Sequence, residues 1–172
     1  MQKTFVRGVT VAVVALAALA AGFYFSAGIQ RDPPAAGLLG LALPDTEGRE
    51  QRLDQWPGKV LVVNFWATWC EPCREEMPEF VKAQAASGAR GLQFVGIAID
   101  QPDKVRQFSQ DLKLNYPSLV GGYGALELSK ALGNKVMALP FTVIIDREGR
   151  VAYAQMGPLK PGKFDSIVGK LL

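Results

Sequence analysis

Apolar positions in the chain fall into one continuous block followed by shorter runs with strand or helix spacing. The block, Gly8 to Gly28, reads GVTVAVVALAALAAGFYFSAG and contains no charged residue. As a helix it would be about 31 Å long at about 1.5 Å per residue, which matches the hydrocarbon core of a bilayer. Gln30 to Gly37 (QRDPPAAG) follows with two prolines and small residues, the composition of a linker. Leu38 to Leu43 is a short apolar run, PDTEGRE is turn-rich, and Glu50 to Leu53 completes a predicted β-hairpin.

The next runs predict the main body. Lys59 to Trp66 (KVLVVNFW) and Leu92 to Ile99 (LQFVGIAI) are β-branched and almost continuously apolar, as buried central strands are. Between them, Pro72 to Ser87 holds good helix formers and ends at Gly88, although Pro78 should kink the helix. Val105, Phe108 and Leu112 give a helix over Asp103 to Leu112. A short strand, Tyr116 to Val120, and a helix, Ala125 to Leu132, come next. Phe141 to Ile145, the turn DREG and Val151 to Gln155 form an antiparallel pair. A last helix starts near Pro161, with Phe164, Ile167, Val168 and Leu171 on one face. A parallel half joined to an antiparallel edge, with helices on both faces, is an α/β sandwich. The expected organisation is a signal anchor over residues 1–29, a linker over 30–37 and one domain over 38–172.

Charge changes the picture by assigning sides. Lys3 and Arg7 precede the apolar block and hold the N-terminus inside, so the remainder is exported. Phe23-Tyr24-Phe25 reads as the interfacial belt of a retained anchor, in the cytoplasmic membrane with the domain on its periplasmic, extracytoplasmic side. Ala18-Leu19-Ala20 offers a small-residue cleavage pattern, and a cleaved signal peptide is the other reading. The net charge of +3 resides in Lys3, Arg7 and Arg31, because no acid precedes Asp32. An exported domain with balanced charge has no basic surplus for phosphates, which argues against nucleic acid as a partner.

Histidine is absent from all 172 residues. That removes Ser-His and Cys-His catalysis, imidazole metal ligands and c-type haem attachment. The only two cysteines, Cys70 and Cys73, cannot complete a four-ligand zinc site, so neither metal nor organic cofactor is expected. Redox chemistry or an inert disulfide remains. The pair stands where a buried strand gives way to a helix, so Cys70 meets unpaired backbone N–H groups and the positive end of the helix dipole. A thiolate is favoured there, which makes Cys70 the nucleophile. Cys73, one turn deeper, can attack the resulting mixed disulfide. A structural staple closing so short a loop would constrain little chain entropy.

Glu76 interrupts an apolar stripe. Cys73, Glu76, Met77, Phe80 and Val81 share a helical face, so Glu76 is expected near Cys73 and partly buried. Burial raises a carboxyl's pKa, and Glu76 would then exchange a proton with Cys73; the plainer alternative is a stripe-edge carboxylate reaching water. Trp69 is expected on the substrate-facing surface beside Glu71 and Pro72, and Trp66 in the core. Pro140 begins a strand, where either a cis or an ordinary trans bond is permitted.

VVNFWATWCEPCREEMPEF resembles the active-site signature of the thioredoxin superfamily, and more closely its TlpA/ResA-like branch of membrane-anchored disulfide reductases. The resemblance spans about Leu38 to Leu172 and implies a thioredoxin-like three-layer sandwich with a mixed central sheet. It implies an exposed nucleophile at Cys70, a buried resolving thiol at Cys73 and a cis-proline loop at Leu139-Pro140 that pairs with substrate backbone. Thioredoxins proper carry a buried aspartate where this chain has Asn64, and the branch instead places a glutamate where Glu76 stands. Ala138 and Phe141 depart from the usual Gly-X-Pro-Thr loop, which leaves substrate preference open. The implied partners are exported proteins with disulfides and a membrane thiol electron donor, with the chain acting as a monomer. A thiol-based copper-delivery factor is the competing reading, weakened by four methionines and no histidine.

Overall fold

The computed structural model describes residues 35–172, and the apolar block read as an anchor lies outside them. Among the described residues no helix is long and apolar enough to cross a membrane. The first element is a short helix, α1 (Ala35–Leu39), where the sequence predicts the end of a linker and the start of a strand. Ala35 and Leu38 are three apart on one helical face and both are fully buried, which favours helix over an extended path. The predicted hairpin follows in shortened form, β1 (Ala42–Pro44) pairing antiparallel with β2 (Glu50–Arg52).

The main sheet contains β3 (Val60–Trp66), β4 (Leu92–Ala98), β5 (Ser118–Val120), β6 (Phe141–Ile145) and β7 (Val151–Met156) in the order β5-β4-β3-β6-β7. β3, β4 and β5 are parallel, whereas β6 and β7 run antiparallel to their neighbours. Every residue of central β3 is buried, while edge β7 alternates, as an apolar run and an alternating run should. The connecting helices are α2 (Glu71–Ser87), α3 (Pro102–Asp111) and α4 (Gly122–Ala131), and α5 (Pro161–Val168) follows the last strand. α2 continues through Pro78 to Ser87.

Side-chain alternation on the sheet creates two cores. One holds Val62, Trp66 and Phe94 with Met77 and Phe80 of α2 and Phe164 of α5, and Phe94 stacks 5.0 Å from Phe80 and 5.5 Å from Phe164. The other holds Val63, Phe65 and Val143 with α1 and α4. Gly121 lets α4 approach this layer closely: a Cβ there would lie 2.4 Å from the Ala125 Cβ and 2.7 Å from the Ile97 Cγ2. Gly121→Ala is therefore expected to cost about 1–3 kcal/mol by overpacking. A urea titration should show a lower midpoint with an unchanged slope.

Candidate active site

The site grows out of the turn between β3 and α2. Cys70 is the N-cap of α2, with extended backbone, and its carbonyl accepts from the Arg74 N–H at 3.2 Å. Cys70 and Cys73 form a disulfide, with Cα atoms 5.3 Å apart. Cys73 is completely buried and Cys70 is only 5% exposed, so the expectation of an exposed Cys70 is corrected to one of asymmetric access. The reason is the wall around it. Cys70 lies on a cavity of about 420 Å³ lined by Trp69, Glu71, Pro72 and Leu139, together with Ile99, Tyr123, Leu126 and Met137. Trp69 and Tyr123 are the most exposed aromatic groups of this rim, at 66% and 82%.

The Leu139–Pro140 peptide bond is cis. Pro140 is buried behind Leu139 and its carbonyl accepts from the Gly157 N–H at 2.9 Å. Among the described residues, neither the N–H nor the C=O of Leu139 has a hydrogen-bond partner. The turn is held from below by Asn134, fully buried, which exchanges hydrogen bonds of 2.9 Å with the N–H and C=O of Ala138. Unpaired backbone groups beside a disulfide offer an incoming chain both pairing groups and a sulfur to attack.

Glu76 is 6% exposed, the buried position expected from its helical face rather than a solvated stripe edge. One carboxylate oxygen accepts from the Asn64 amide at 3.0 Å, and the other accepts from the Leu159 N–H at 2.8 Å. Burial pushes its pKa up to about 7, although both donors favour the ionised form and oppose the rise. A second cavity, about 160 Å³, runs between α2 and the Pro158–Pro161 loop and touches Glu76. Pro72 lines this cavity as well as the one at Cys70, so the two open on either side of the first turn of α2. Among the described residues, no three His, Cys, Asp or Glu side chains converge where a metal ion could be held.

The structure brings together Trp69, Cys70, Glu71, Pro72 and Leu139, with Cys73 joined to Cys70 by the disulfide and Glu76 buried one turn further along α2. Sequence reading missed Tyr123, Met137, Asn134, Thr142 and Leu159. Only Tyr123, an aromatic between Gly122 and Gly124, carries a local sign of an exposed contact surface.

A mixed sheet with a Cys-X-X-Cys disulfide at a helix N-terminus and a proline turn beside it defines a thioredoxin-like thiol-disulfide oxidoreductase. Comparison with known proteins agrees. The chain is 29% identical over 153 residues to a thiol-disulfide oxidoreductase ResA of Geobacillus thermodenitrificans, covering 87% of this chain and 86% of the relative. It is 32% identical over 128 residues to ResA of Bacillus thuringiensis subsp. konkukian, covering 74% and 72%. The crystal structure of a thioredoxin-family thiol:disulfide interchange protein from Chlorobium tepidum superposes with a TM-score of 0.69 at 29% identity, over 76% of this chain and 92% of that one. The Redoxin family profile matches residues 27–172, and the chain belongs to that family.

Proposed function

We propose that this thiol-disulfide oxidoreductase reduces disulfides of exported client proteins on the extracytoplasmic side of a membrane, to which residues 1–29 anchor it. The observation that carries the reading is that the Cys70 end of the disulfide lines a largely apolar cavity together with Leu139, whose backbone is unpaired among the described residues. A client strand pairs with Leu139 and lays the residues flanking its cysteine against Trp69, Tyr123 and Met137. The Cys70 thiolate attacks the client disulfide, forming a Cys70–client bond and releasing the first client thiolate, which takes a proton from water. Cys73 then gives its proton to the Glu76 carboxylate, and the Cys73 thiolate attacks the Cys70 sulfur. The Cys70–Cys73 disulfide forms, and the second client thiolate leaves and collects the proton held by Glu76. Two electrons have passed to the client without any bound cofactor, and a membrane thiol donor restores the dithiol.

The reducing direction is supported by Glu71. Its negative charge, beside Cys70 and against the helix dipole, opposes the strong thiolate stabilisation that makes a disulfide oxidising. Precursors of cytochromes c and of copper centres, which need reduced cysteines, suit such a reductant as clients. The expected reduction potential is below about −200 mV, and a value near the −120 mV or so of a strong oxidant would overturn the proposed direction. Stoichiometric Cu(I) binding by the reduced domain, without reduction of a protein disulfide substrate, would instead favour copper delivery.

A further inference from the structure

The two donors that hold Glu76 both lead back to the client-facing turn. Asn64 on β3 stands directly opposite Thr142 on β6, and its amide nitrogen donates to Glu76 Oε1 and to Thr142 Oγ1, each at 3.0 Å. Thr142 lies two residues beyond Pro140. The other carboxylate oxygen accepts from the N–H of Leu159, and Leu159 lies two residues beyond Gly157, whose N–H donates to the Pro140 carbonyl. The path is closed: Pro140, Thr142, Asn64, Glu76, Leu159, Gly157 and Pro140 again. Asn64, Thr142, Glu76 and Leu159 are all buried, so water competes little for these bonds.

The orientation of the Asn64 amide follows from the ring. Its nitrogen has two protons and faces two acceptors, while its Oδ1 is buried without a partner among the described residues. The ionised carboxylate can only accept and so draws the amide nitrogen toward itself, and the Thr142 hydroxyl oxygen takes that nitrogen's second proton, fixing where the amide sits. We infer that Asn64 and Thr142 are positioning residues that make the grip on the Glu76 carboxyl depend on whether a client strand occupies the Leu139–Pro140 turn.

This inference rests on the proposed role of Glu76 and of the turn. A strand pairing with Leu139 draws the turn outward and loosens the Thr142 and Pro140 ends of the ring together. Weaker donation to the carboxylate raises its affinity for a proton at the step when Cys73 must lose one. Coupling of this kind is reciprocal, so protonated Glu76 in turn favours client capture. The titratable and charged groups around Glu76 are Cys73, Glu75 and Glu79 on α2, Lys160 on the adjoining loop and the Tyr116 phenol ahead of β5. None of them belongs to the ring, so a general field from them would act without Thr142.

The test uses a Cys73→Ser background and the ¹³C signal of the Glu76 carboxyl, titrated with Cys70 free and with Cys70 disulfide-bonded to a short synthetic peptide. Attachment of the peptide should raise the proton affinity of Glu76 by about tenfold, the scale of one charge-assisted hydrogen bond. Thr142→Val, close in shape, should abolish most of that rise, and Thr142→Ser should restore it. Asn64→Ala should raise the affinity in the free form and leave the peptide little to add. No rise in the parent, or the same rise in Thr142→Val, overturns the coupling. The pH profile of Glu76→Gln tests the underlying role separately, because an unchanged profile would remove Glu76 from proton handling whatever the ring does.

Discussion

Cys73→Ser is expected to turn the protein from a catalyst into a trap. Cys70 keeps its N-cap position at the head of α2, so attack on a client disulfide proceeds. The serine hydroxyl left at position 73 is far too weak an acid to supply an attacking anion, and the mixed disulfide persists until an external thiol resolves it. Steady-state reduction of a protein disulfide should fall to the uncatalysed background. Covalent Cys70–client adducts should accumulate on non-reducing gels. Cys70→Ser should be equally inactive yet form no adduct, because the 0% exposure of Cys73 denies clients its sulfur. Adducts from Cys70→Ser with none from Cys73→Ser would reverse the assignment of attacking and resolving thiols. Recovering the trapped proteins from cells identifies the clients.

The second large effect concerns Glu76 and pH. Its folded-state pKa is raised to about 7 from an ordinary value of 4.5. Below about pH 4.5 the carboxyl is protonated in both the folded and unfolded chain and its burial costs little. As pH rises toward 7 the unfolded chain ionises first, so stability is lost progressively across that window and the loss is complete above it. The gap corresponds to about 3 kcal/mol. Glu76→Gln cannot ionise, so the stability of the variant relative to the parent should improve by about 3 kcal/mol between pH 4 and pH 8. In thermal melts that is a relative gain of roughly 10 °C for a domain of this size. Working with the oxidised form removes thiol titration from the comparison. In the reduced form, the same variant should lose the inflection near pH 7 in the rate of thiol exchange. A parent and variant with parallel pH profiles would show that Glu76 is ionised at no unusual cost.

The part of this site that was legible in sequence is the part built from near neighbours. Cys70, Cys73 and Glu76 lie within two turns of one helix, and helical geometry alone places Glu76 beneath Cys73 once the apolar stripe is recognised. The central strands were equally plain, because β3 and β4 are buried on both faces and so nearly every position is apolar. The partners of Glu76 were hidden for the opposite reason. Thr142 is 78 residues from Asn64, and Leu159 is 83 from Glu76, so their meeting depends on the pairing of β3 with β6 and the course of the chain after β7. No local pattern encodes that register. Met137 and Leu126 reach the cavity through α4 and the following loop, again with no signature of their own. At the N-terminal end, apolar composition alone could not separate the helix Ala35–Leu39 from a strand, since the run was too short to display a period.

The hairpin at the front of the domain also has a practical meaning. Asp45 forms an antiparallel bridge with Leu119, which covers part of the outer edge of β5, and Ala35 and Leu38 fill the core beneath α4. An uncovered strand edge invites pairing with another chain. A version trimmed for work in solution therefore has its safe boundary ahead of Ala35. Cutting at the first obvious strand of the sheet would remove core side chains and leave β5 open to self-association.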